Sequence, residues 1–137
     1  MRYVVGLIFS EDWQTLLLIR KSRPWWQAQL LNGVGGKVED AESPIMAMVR
    51  ECQEETALRI PALAWQHALT CMGVSYEIHY FYAVTDALHG AESLTDEPVE
   101  LIRLDTLMTQ QLVPDLRWII PFCVQPQIKL PVTIERA

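Results

Sequence analysis

Hydrophobic residues along the chain fall in short runs that are separated by polar turns. Residues 3–9 and 15–19 are apolar and partly β-branched, which predicts two buried strands. The Ser-Glu-Asp sequence at residues 10–12 predicts the turn that joins them in a hairpin. Residues 20–29 are polar and aromatic and include Pro24, which predicts an irregular loop. A loop of about ten residues in a small domain often serves function.

The pattern changes to a helical period after residue 42. Ser43 is a typical N-cap and Pro44 a typical first helical residue, so we expect a helix to begin there. At ~100° per residue its apolar positions share one side, which predicts packing on a core. Those positions are Ile45, Met48, Val49, Cys52 and Thr56. The other side carries three carboxylates on one patch, with an arginine at its edge. This charged set is Glu51, Glu54, Glu55 and Arg50.

Three glycines, Gly33, Gly35 and Gly36, precede this helix. Glycine allows backbone geometry, including φ > 0, that a side chain forbids. We therefore expect residues 30–36 to return toward the core and to turn into the helix.

Strand patterns resume beyond Pro61, which ends the helical segment. Residues 64–72 and 76–85 each predict a strand, with a turn at residues 73–75. In the second strand the residue types alternate between two faces. One face carries Tyr76, Ile78, Tyr80 and Tyr82, and the other carries Glu77, His79 and Phe81.

The last third of the chain predicts shorter elements. A polar loop at residues 88–98 precedes a strand at 99–104 and a short helix at 105–111, for which Asp105 is the expected cap. Asp115 or Leu116 opens a further helix, with Pro121 expected in its first turn. A terminal strand follows at residues 128–134, and Pro131 confines it to a sheet edge. This order is compatible with a mixed sheet between helices.

Composition narrows the class of protein. The chain of 137 residues fits one domain, residues 1–137, and half of its residues are hydrophobic. A net charge of −6 argues against a general nucleic-acid binder. Three cysteines without a CxxC pair favour reduced thiols and a cytoplasmic location. Residues 3–9 indicate a strand rather than a signal peptide, and no stretch is long enough to span a membrane.

The acidic patch has a chemical meaning of its own. Two carboxylates ~5 Å apart repel by roughly 3 kcal/mol at an effective dielectric constant of ~20. A cluster of this kind favours a hard divalent cation such as Mg²⁺ or Mn²⁺, which also binds phosphate oxygens. The alternative is a solvated acidic helix face that binds nothing.

The spacing of charged residues in this region resembles the Nudix box, GX5EX7REUXEEXGU. The matching positions are Gly36, Glu42, Arg50, Glu51, Glu54, Glu55 and Leu58. Two positions depart from the motif, because Ala57 replaces a glycine and Cys52 an aliphatic residue. The resemblance to the Nudix hydrolase family implies an α/β fold, an α/β/α sandwich with a mixed central sheet. It also implies that water cleaves the phosphoanhydride bond of a nucleoside diphosphate derivative.

The same resemblance implies a set of site residues. Metal ligands for Mg²⁺ (or Mn²⁺) would be Gly36 through its backbone, Glu51, Glu54, Glu55 and Glu97. The catalytic set would be Glu54, Glu51, Arg50 and Glu97, in which Arg50 orients a glutamate and Glu97 either completes the metal shell or acts as general base. Glu42 would bridge to the loop.

Two segments outside the box are similar to the oxidised-purine nucleoside triphosphatases of this family. Residues 31–38, LNGVGGKV, resemble their WNGFGGKV segment, and residues 114–121 resemble WPDDxxWFPLL, although Leu116 replaces the second aspartate. The resemblance implies that Asn32 and Asp115 contact the base and that Trp26 stacks beside it. The alternatives are a turn residue at Asn32, a helix cap at Asp115 and a hydrophobic loop anchor at Trp26.

Basic residues near the glycine turn are candidate phosphate contacts, with solvated surface as the alternative. They are Arg20, Lys21, Arg23 and Lys37.

The function expected from the resemblance is Mg²⁺-dependent hydrolysis of a (deoxy)nucleoside triphosphate to a nucleoside monophosphate and pyrophosphate. An oxidised purine is one candidate base. The alternatives are a Nudix pyrophosphatase acting on a dinucleotide or nucleotide sugar, and a non-catalytic nucleotide-binding module. The expected partner is a small nucleotide, with no nucleic acid polymer and no membrane. A homodimer is compatible with the sequence.

Overall fold

One mixed sheet organises the computed structural model, which describes residues 1–125 and 127–137. Within those residues the sheet has eight strands. They are β1 (Arg2–Ser10), β2 (Thr15–Arg20), β3 (Leu31–Asn32), β4 (Val34–Lys37), β5 (Trp65–Met72), β6 (Glu77–Thr85), β7 (Val99–Arg103) and β8 (Val132–Glu135). The two α-helices are α1 (Pro44–Thr56) and α2 (Leu116–Cys123). Short 3-10 helices occur at Trp25–Gln27, Ala62–Ala64, Leu88–Gly90 and Leu104–Thr109.

The strand order is β3-β2-β1-β6-β5-β8, while β4 pairs with β1 and β7 pairs with β2. The β1–β6 and β5–β8 pairs are parallel, and the other pairs are antiparallel. The central pair is long, since β1 and β6 stay in register from Arg2↔Glu77 to Ser10↔Thr85. The predicted hairpin is confirmed by the antiparallel pairing of β1 with β2.

A hydrophobic core lies on each face of the sheet, because β1 and β2 are apolar at successive positions. Val4 and Ile8 of β1 pack with Met48 and Cys52 of α1 on one face. The opposite face packs against α2 and includes Val5, Leu7, Phe9, Leu116 and Ile119. The fold is therefore the predicted α/β/α sandwich with a mixed central sheet.

Local patterns located most of the elements correctly. Ser43 caps α1, accepting a hydrogen bond from the Met46 N–H at 3.4 Å, and Pro44 is its first residue. The alternation in β6 is confirmed, since Tyr80 belongs to the α2-side core and Phe81 to the α1-side core. β8 lies at a sheet edge, as Pro131 predicted.

Three predictions about the C-terminal third were wrong. Asp105 does not cap its 3-10 turn, because the guanidinium of Arg103 binds both of its carboxylate oxygens at 2.8 and 3.2 Å. Pro121 lies in the second turn of α2 rather than in the first. Because the helix ends two residues later, the backbone N–H that proline lacks disturbs few hydrogen bonds. The strand predicted at residues 128–134 is shorter, since β8 begins only after Pro131.

The glycines before α1 are needed for close approach rather than for unusual backbone angles. No described glycine has a positive φ. A Cβ on Gly35 would collide with the Val4 carbonyl oxygen, and one on Gly33 would lie 2.6 Å from the Gly6 carbonyl oxygen. Side chains at these positions would therefore push β4 away from β1.

Ala57 ends α1 in the left-handed conformation, with φ 65° and ψ −1°. Its N–H donates to the Gln53 carbonyl oxygen at 3.0 Å. A residue with a Cβ pays about 1–2 kcal/mol for this conformation, which is why glycine is common at such helix ends.

We predict that Ala57→Gly stabilises the protein. The relief of left-handed strain exceeds the added entropy of the unfolded chain, which leaves a gain of about 0.5–1 kcal/mol and a Tm higher by about 3 °C. Thermal unfolding of the variant and the wild type measures this change in Tm. The control is Ala47→Gly inside α1, which should destabilise by about 1 kcal/mol. A lower Tm for Ala57→Gly would contradict the assigned helix end.

Candidate functional site

The acidic side of α1 lies directly against β4. A Cβ on Gly36 would lie 2.5 Å from the Glu51 carboxylate, so the absent side chain makes room for that carboxylate. Gly36 itself is fixed by the pairing of β4 with β1, opposite Val4. The acids of α1 therefore face a strand whose two central residues, Gly35 and Gly36, have no side chains.

Glu55 is the most buried of these acids, with 8% of its surface exposed. Its carboxylate accepts a hydrogen bond from the Gly35 N–H at 2.9 Å. Burial raises the pKa of Glu55 to about 7, and the neighbouring charges of Glu51 and Glu97 add to the rise, while the Gly35 N–H and Lys21 oppose it. Glu55 is therefore a carboxylate held out of water with little to offset its charge.

Glu51 and Glu54 continue the acidic surface toward solvent. The side chain of Glu51 is 15% exposed and that of Glu54 is 57% exposed. Burial raises the pKa of Glu51, although the guanidinium of Arg50 partly offsets this. The three carboxylates thus form a gradient from the buried Glu55 to the exposed Glu54.

Arg50 connects the helix to the preceding loop. Its guanidinium binds both carboxylate oxygens of Glu42 at 2.6 and 2.9 Å, and the Lys37 carbonyl oxygen at 3.1 Å. It also reaches Glu51 at 2.9 Å and Glu54 at 3.3 Å. The hydrogen bonds from Arg50 lower the pKa of Glu42 to about 2. Arg50 therefore contacts two of the acids and orients them.

Glu97 binds the loop that begins after β2. Its carboxylate accepts hydrogen bonds from Lys21 Nζ at 2.9 Å, from the Ser22 N–H at 2.6 Å and from the Arg23 N–H at 3.2 Å. Burial alone would raise the pKa of Glu97, but these donors outweigh it and lower the pKa to about 2. To join a metal shell, this carboxylate would have to leave donors that already satisfy it.

Two further ion pairs join the same segments. Arg20 binds both carboxylate oxygens of Glu100 at 2.7 and 2.8 Å, and Arg23 binds those of Asp96 at 2.7 and 3.3 Å. We call the pairs Arg20–Glu100, Lys21–Glu97 and Arg23–Asp96 the loop clasp. Three of the candidate phosphate contacts are thus paired with acids, whereas Lys37 lies exposed at the end of β4.

The candidate base contacts lie on adjoining segments. Leu31, the residue before Asn32, accepts a hydrogen bond from the Val113 N–H at 2.9 Å, and Val113 is two residues before Asp115. Asn32 accepts from the Gly33 N–H at 2.8 Å and donates to the Gln27 side chain at 3.2 Å. This backbone bridge brings the two segments together, and no measured contact joins Asn32 directly to Asp115 within the described residues.

Two alternatives from the sequence are wrong. Asp115 does not act as a helix cap through its side chain, which instead binds Arg136 at 2.6 Å. Trp26 is not a buried anchor, since it is 55% exposed and its neighbour Trp25 is 87% exposed. Arg136 was missed, because no local pattern connects the end of the chain to Asp115.

The donor set fits a divalent cation. Across residues 1–125 and 127–137, no group of three or more His, Cys, Asp or Glu side chains is already gathered to hold a metal. Even so, Glu51 and Glu55 are buried acids with raised pKa values, which is the state a bound cation would relieve. Carboxylate and carbonyl oxygens are the ligands that Mg²⁺ and Mn²⁺ prefer.

The family model described as NUDIX domain matches residues 1–121. The chain belongs to the Nudix family. Membership indicates a pyrophosphohydrolase in general, and Nudix hydrolases generally use a divalent metal such as Mg²⁺. No curated protein matches the sequence significantly.

Solved Nudix structures share the fold at low sequence identity. The NUDIX domain of Shewanella oneidensis NrtR, complexed with ADP ribose, superposes with a TM-score of 0.75 at 19% identity, covering 90% of this chain and 85% of that one. A MutT structure from work on Aliivibrio salmonicida and Vibrio cholerae gives 0.72 at 23% identity, covering 88% and 98%. The MutT protein from Bacillus halodurans gives 0.73 at 19% identity, covering 98% and 88%. Identities this low establish the fold alone.

In the part of the chain that the structure describes, neither helix is long and apolar enough to cross a bilayer.

The raised pKa of Glu55 predicts how stability depends on pH without metal. The folded pKa of about 7 exceeds the ordinary value of 4.5, so the native state binds more protons than the unfolded state between these values. Stability should therefore fall as pH rises through this window. At about pH 8 with EDTA, Glu55→Gln should be more stable than the wild type by about 1–3 kcal/mol, with the difference vanishing near pH 4.

Urea unfolding across this pH range measures the effect. Glu11→Gln, in the exposed turn between β1 and β2, is the control and should follow the wild type. Parallel stability curves for the wild type and Glu55→Gln would show that Glu55 is not held in an unfavourable charged state.

Proposed function

We propose that this Nudix domain hydrolyses a (deoxy)nucleoside triphosphate with Mg²⁺, releasing a nucleoside monophosphate and pyrophosphate. The observation that carries the proposal is the burial of Glu51 and Glu55 against the two glycines of β4, Gly35 and Gly36, with Arg50 as the only cation in contact with Glu51 among the described residues. Burying carboxylates in this way is unfavourable unless a cation binds there. A solvated acidic face would expose all three acids.

The metal would be held by Glu51, Glu54 and Glu55, with the Gly36 carbonyl oxygen as a backbone ligand. When bound, Mg²⁺ neutralises charge on phosphate oxygens and makes a water molecule more acidic. Arg50 keeps Glu51 oriented through their 2.9 Å contact. Glu54 is the most exposed acid of the three, and we assign to its carboxylate the acceptance of the proton from the attacking water.

Substrate binding would use the groups around this face. Asn32 presents an amide that can match donors and acceptors on a base, and the exposed ring of Trp26 offers a stacking surface. Lys37, beside Gly36, and Arg23 are the proposed phosphate contacts. Because Arg23 is paired with Asp96 on an exposed surface, a phosphate would compete only with a weak ion pair.

A second substrate class has some support. The similar NrtR domain was solved with ADP ribose, which is a nucleoside diphosphate derivative rather than a triphosphate. A chromatographic screen with Mg²⁺ separates the two. Pyrophosphate released from standard or oxidised nucleoside triphosphates would support the proposal, whereas AMP released from ADP ribose or from dinucleotides, with triphosphates intact, would replace it.

We predict that Glu54→Gln lowers kcat by about a thousandfold or more, because it removes a metal ligand and the proton acceptor. The melting temperature should be equal or higher, since like-charge repulsion falls. Steady-state kinetics and thermal unfolding measure both effects, with Glu11→Gln as the control. Full hydrolysis with unchanged metal dependence in Glu54→Gln would remove this residue from the mechanism.

Glu97 gives a second kinetic prediction, because its contacts suit an anchor of the loop carrying Trp25 and Trp26. Glu97→Gln should raise KM by about tenfold and leave kcat within about threefold, since the loop loses its buried ion pair while the acids of α1 stay in place. Asp105→Asn breaks a similar pair elsewhere and should change neither constant. A loss of kcat by orders of magnitude would instead place Glu97 in the metal shell or make it the general base.

A further inference from the structure

The C-terminal strand brings an arginine to the start of α2. β8 pairs in parallel with β5 as far as Met72↔Glu135, and the Arg136 N–H then donates to the Met72 carbonyl oxygen at 2.8 Å. This extends the ladder by one residue and fixes where the Arg136 side chain leaves the backbone. Its Nη2 donates to Asp115 Oδ1 at 2.6 Å. Arg136 lies beyond residues 1–121, the part that the family model matches.

The side chain of Asp115 is free for this contact because it does not cap α2. The residue stands at the N-cap position of α2, and its backbone oxygen accepts from the Ile119 N–H at 3.0 Å. Its side chain caps nothing. Within the described residues, the Arg136 bond is the only hydrogen bond of this carboxylate, which leaves Oδ2 as an open acceptor.

The ion pair is accessible to a ligand. The side chain of Asp115 is 25% exposed and that of Arg136 is 43% exposed. Among the described residues, the guanidinium makes no other side-chain hydrogen bond than the one to Asp115, so Nε and Nη1 remain as donors. One open acceptor and two open donors therefore lie side by side at this position.

The pair lies near the C-terminal end of β5, whose last residue, Met72, binds the Arg136 N–H. Cys71 and Tyr80 are buried on the α2 side of the sheet, and both are close enough to be affected by both charges. Burial raises the pKa of the Tyr80 hydroxyl, with Asp115 adding to the rise and Arg136 opposing it.

We propose that Arg136 is a specificity-determining residue of the base site, favouring bases that present an oxo acceptor beside a ring N–H donor. This inference rests on the proposed function, which supplies the nucleotide. The oxo group would accept from the open donors of Arg136, and the ring N–H would donate to Asp115 Oδ2. Guanine presents this edge. Adenine presents an amino donor where guanine has the oxo acceptor.

The arginine is needed for this discrimination because its guanidinium only donates and does not lose its proton in proteins. An amino group facing it places donor against donor and leaves both unsatisfied. Asp115 alone accepts from an amino group as readily as from a ring N–H. Without Arg136, the site would therefore keep an acceptor and lose the feature that distinguishes the two bases.

The test measures binding of GMP and AMP by calorimetry, which requires no turnover. Arg136→Ala should weaken GMP binding by about tenfold or more and AMP binding by about threefold or less, so that the ratio of the two dissociation constants approaches one. Arg136→Lys keeps a donor but loses the planar fork, and should restore part of the GMP affinity. Arg103→Ala removes the arginine of a similar aspartate pair after β7 and should bind both nucleotides as the wild type does.

Kinetics with GTP and ATP complete the test. In Arg136→Ala, KM for GTP should rise with kcat little changed, while ATP is affected less. Equal losses for both bases, or no change for either, would show that Arg136 only braces β8, and would overturn the inference. So would a wild type that binds neither nucleotide at millimolar concentration. In each of these cases, wild-type pyrophosphate release still decides the proposed function separately.

Discussion

The structure depends on one unfavourable contact, the burial of acidic side chains between α1 and β4. Removing an ionised carboxylate from water costs several kcal/mol unless hydrogen bonds or a counter-ion replace the water. Glu55 has the Gly35 N–H, and Glu51 has Arg50. The position of Glu51 requires Gly36, where a Cβ would lie 2.5 Å from the carboxylate, and the close pairing of β4 with β1 requires Gly35. The glycines of β4, their tight pairing with β1 and the double-sided core around β1 all hold that interface together.

Sequence periodicity correctly predicted the elements that depend only on residues close together in the chain. The strands β1, β2 and β6 followed from apolar runs and alternation, and the start of α1 followed from Ser43 and Pro44. The acidic side of α1 also followed from helical spacing. These predictions succeed because each rests on residues only a few positions apart in the chain. At that separation the backbone geometry of a strand or helix determines which side chains are neighbours.

Distant partners decided the rest, and the sequence has no pattern for them. Lys21 and Glu97 are 76 residues apart in the chain, and Asp115 and Arg136 are 21 apart. Asp105 is the exception, because the guanidinium that binds its carboxylate belongs to Arg103, only two residues earlier in the chain. The donors that Glu97 binds, among them Lys21 and the Ser22 N–H, likewise follow from no pattern in the sequence. A motif shows which carboxylates are present. Only the fold shows which N–H and O–H groups already donate hydrogen bonds to them.

The loop clasp has a consequence for how ionic strength acts on the molecule. Its innermost pair, Lys21–Glu97, has side chains that are 17% and 9% exposed, whereas the outer pair, Arg23–Asp96, is 63% and 69% exposed. Dissolved ions screen exposed charges far more than buried ones. Added salt should therefore release the segment from its tip inward, loosening Arg23 and the adjoining tryptophans while Lys21 stays in place. The same loop then has a rigid base and a tip whose freedom depends on the surrounding electrolyte.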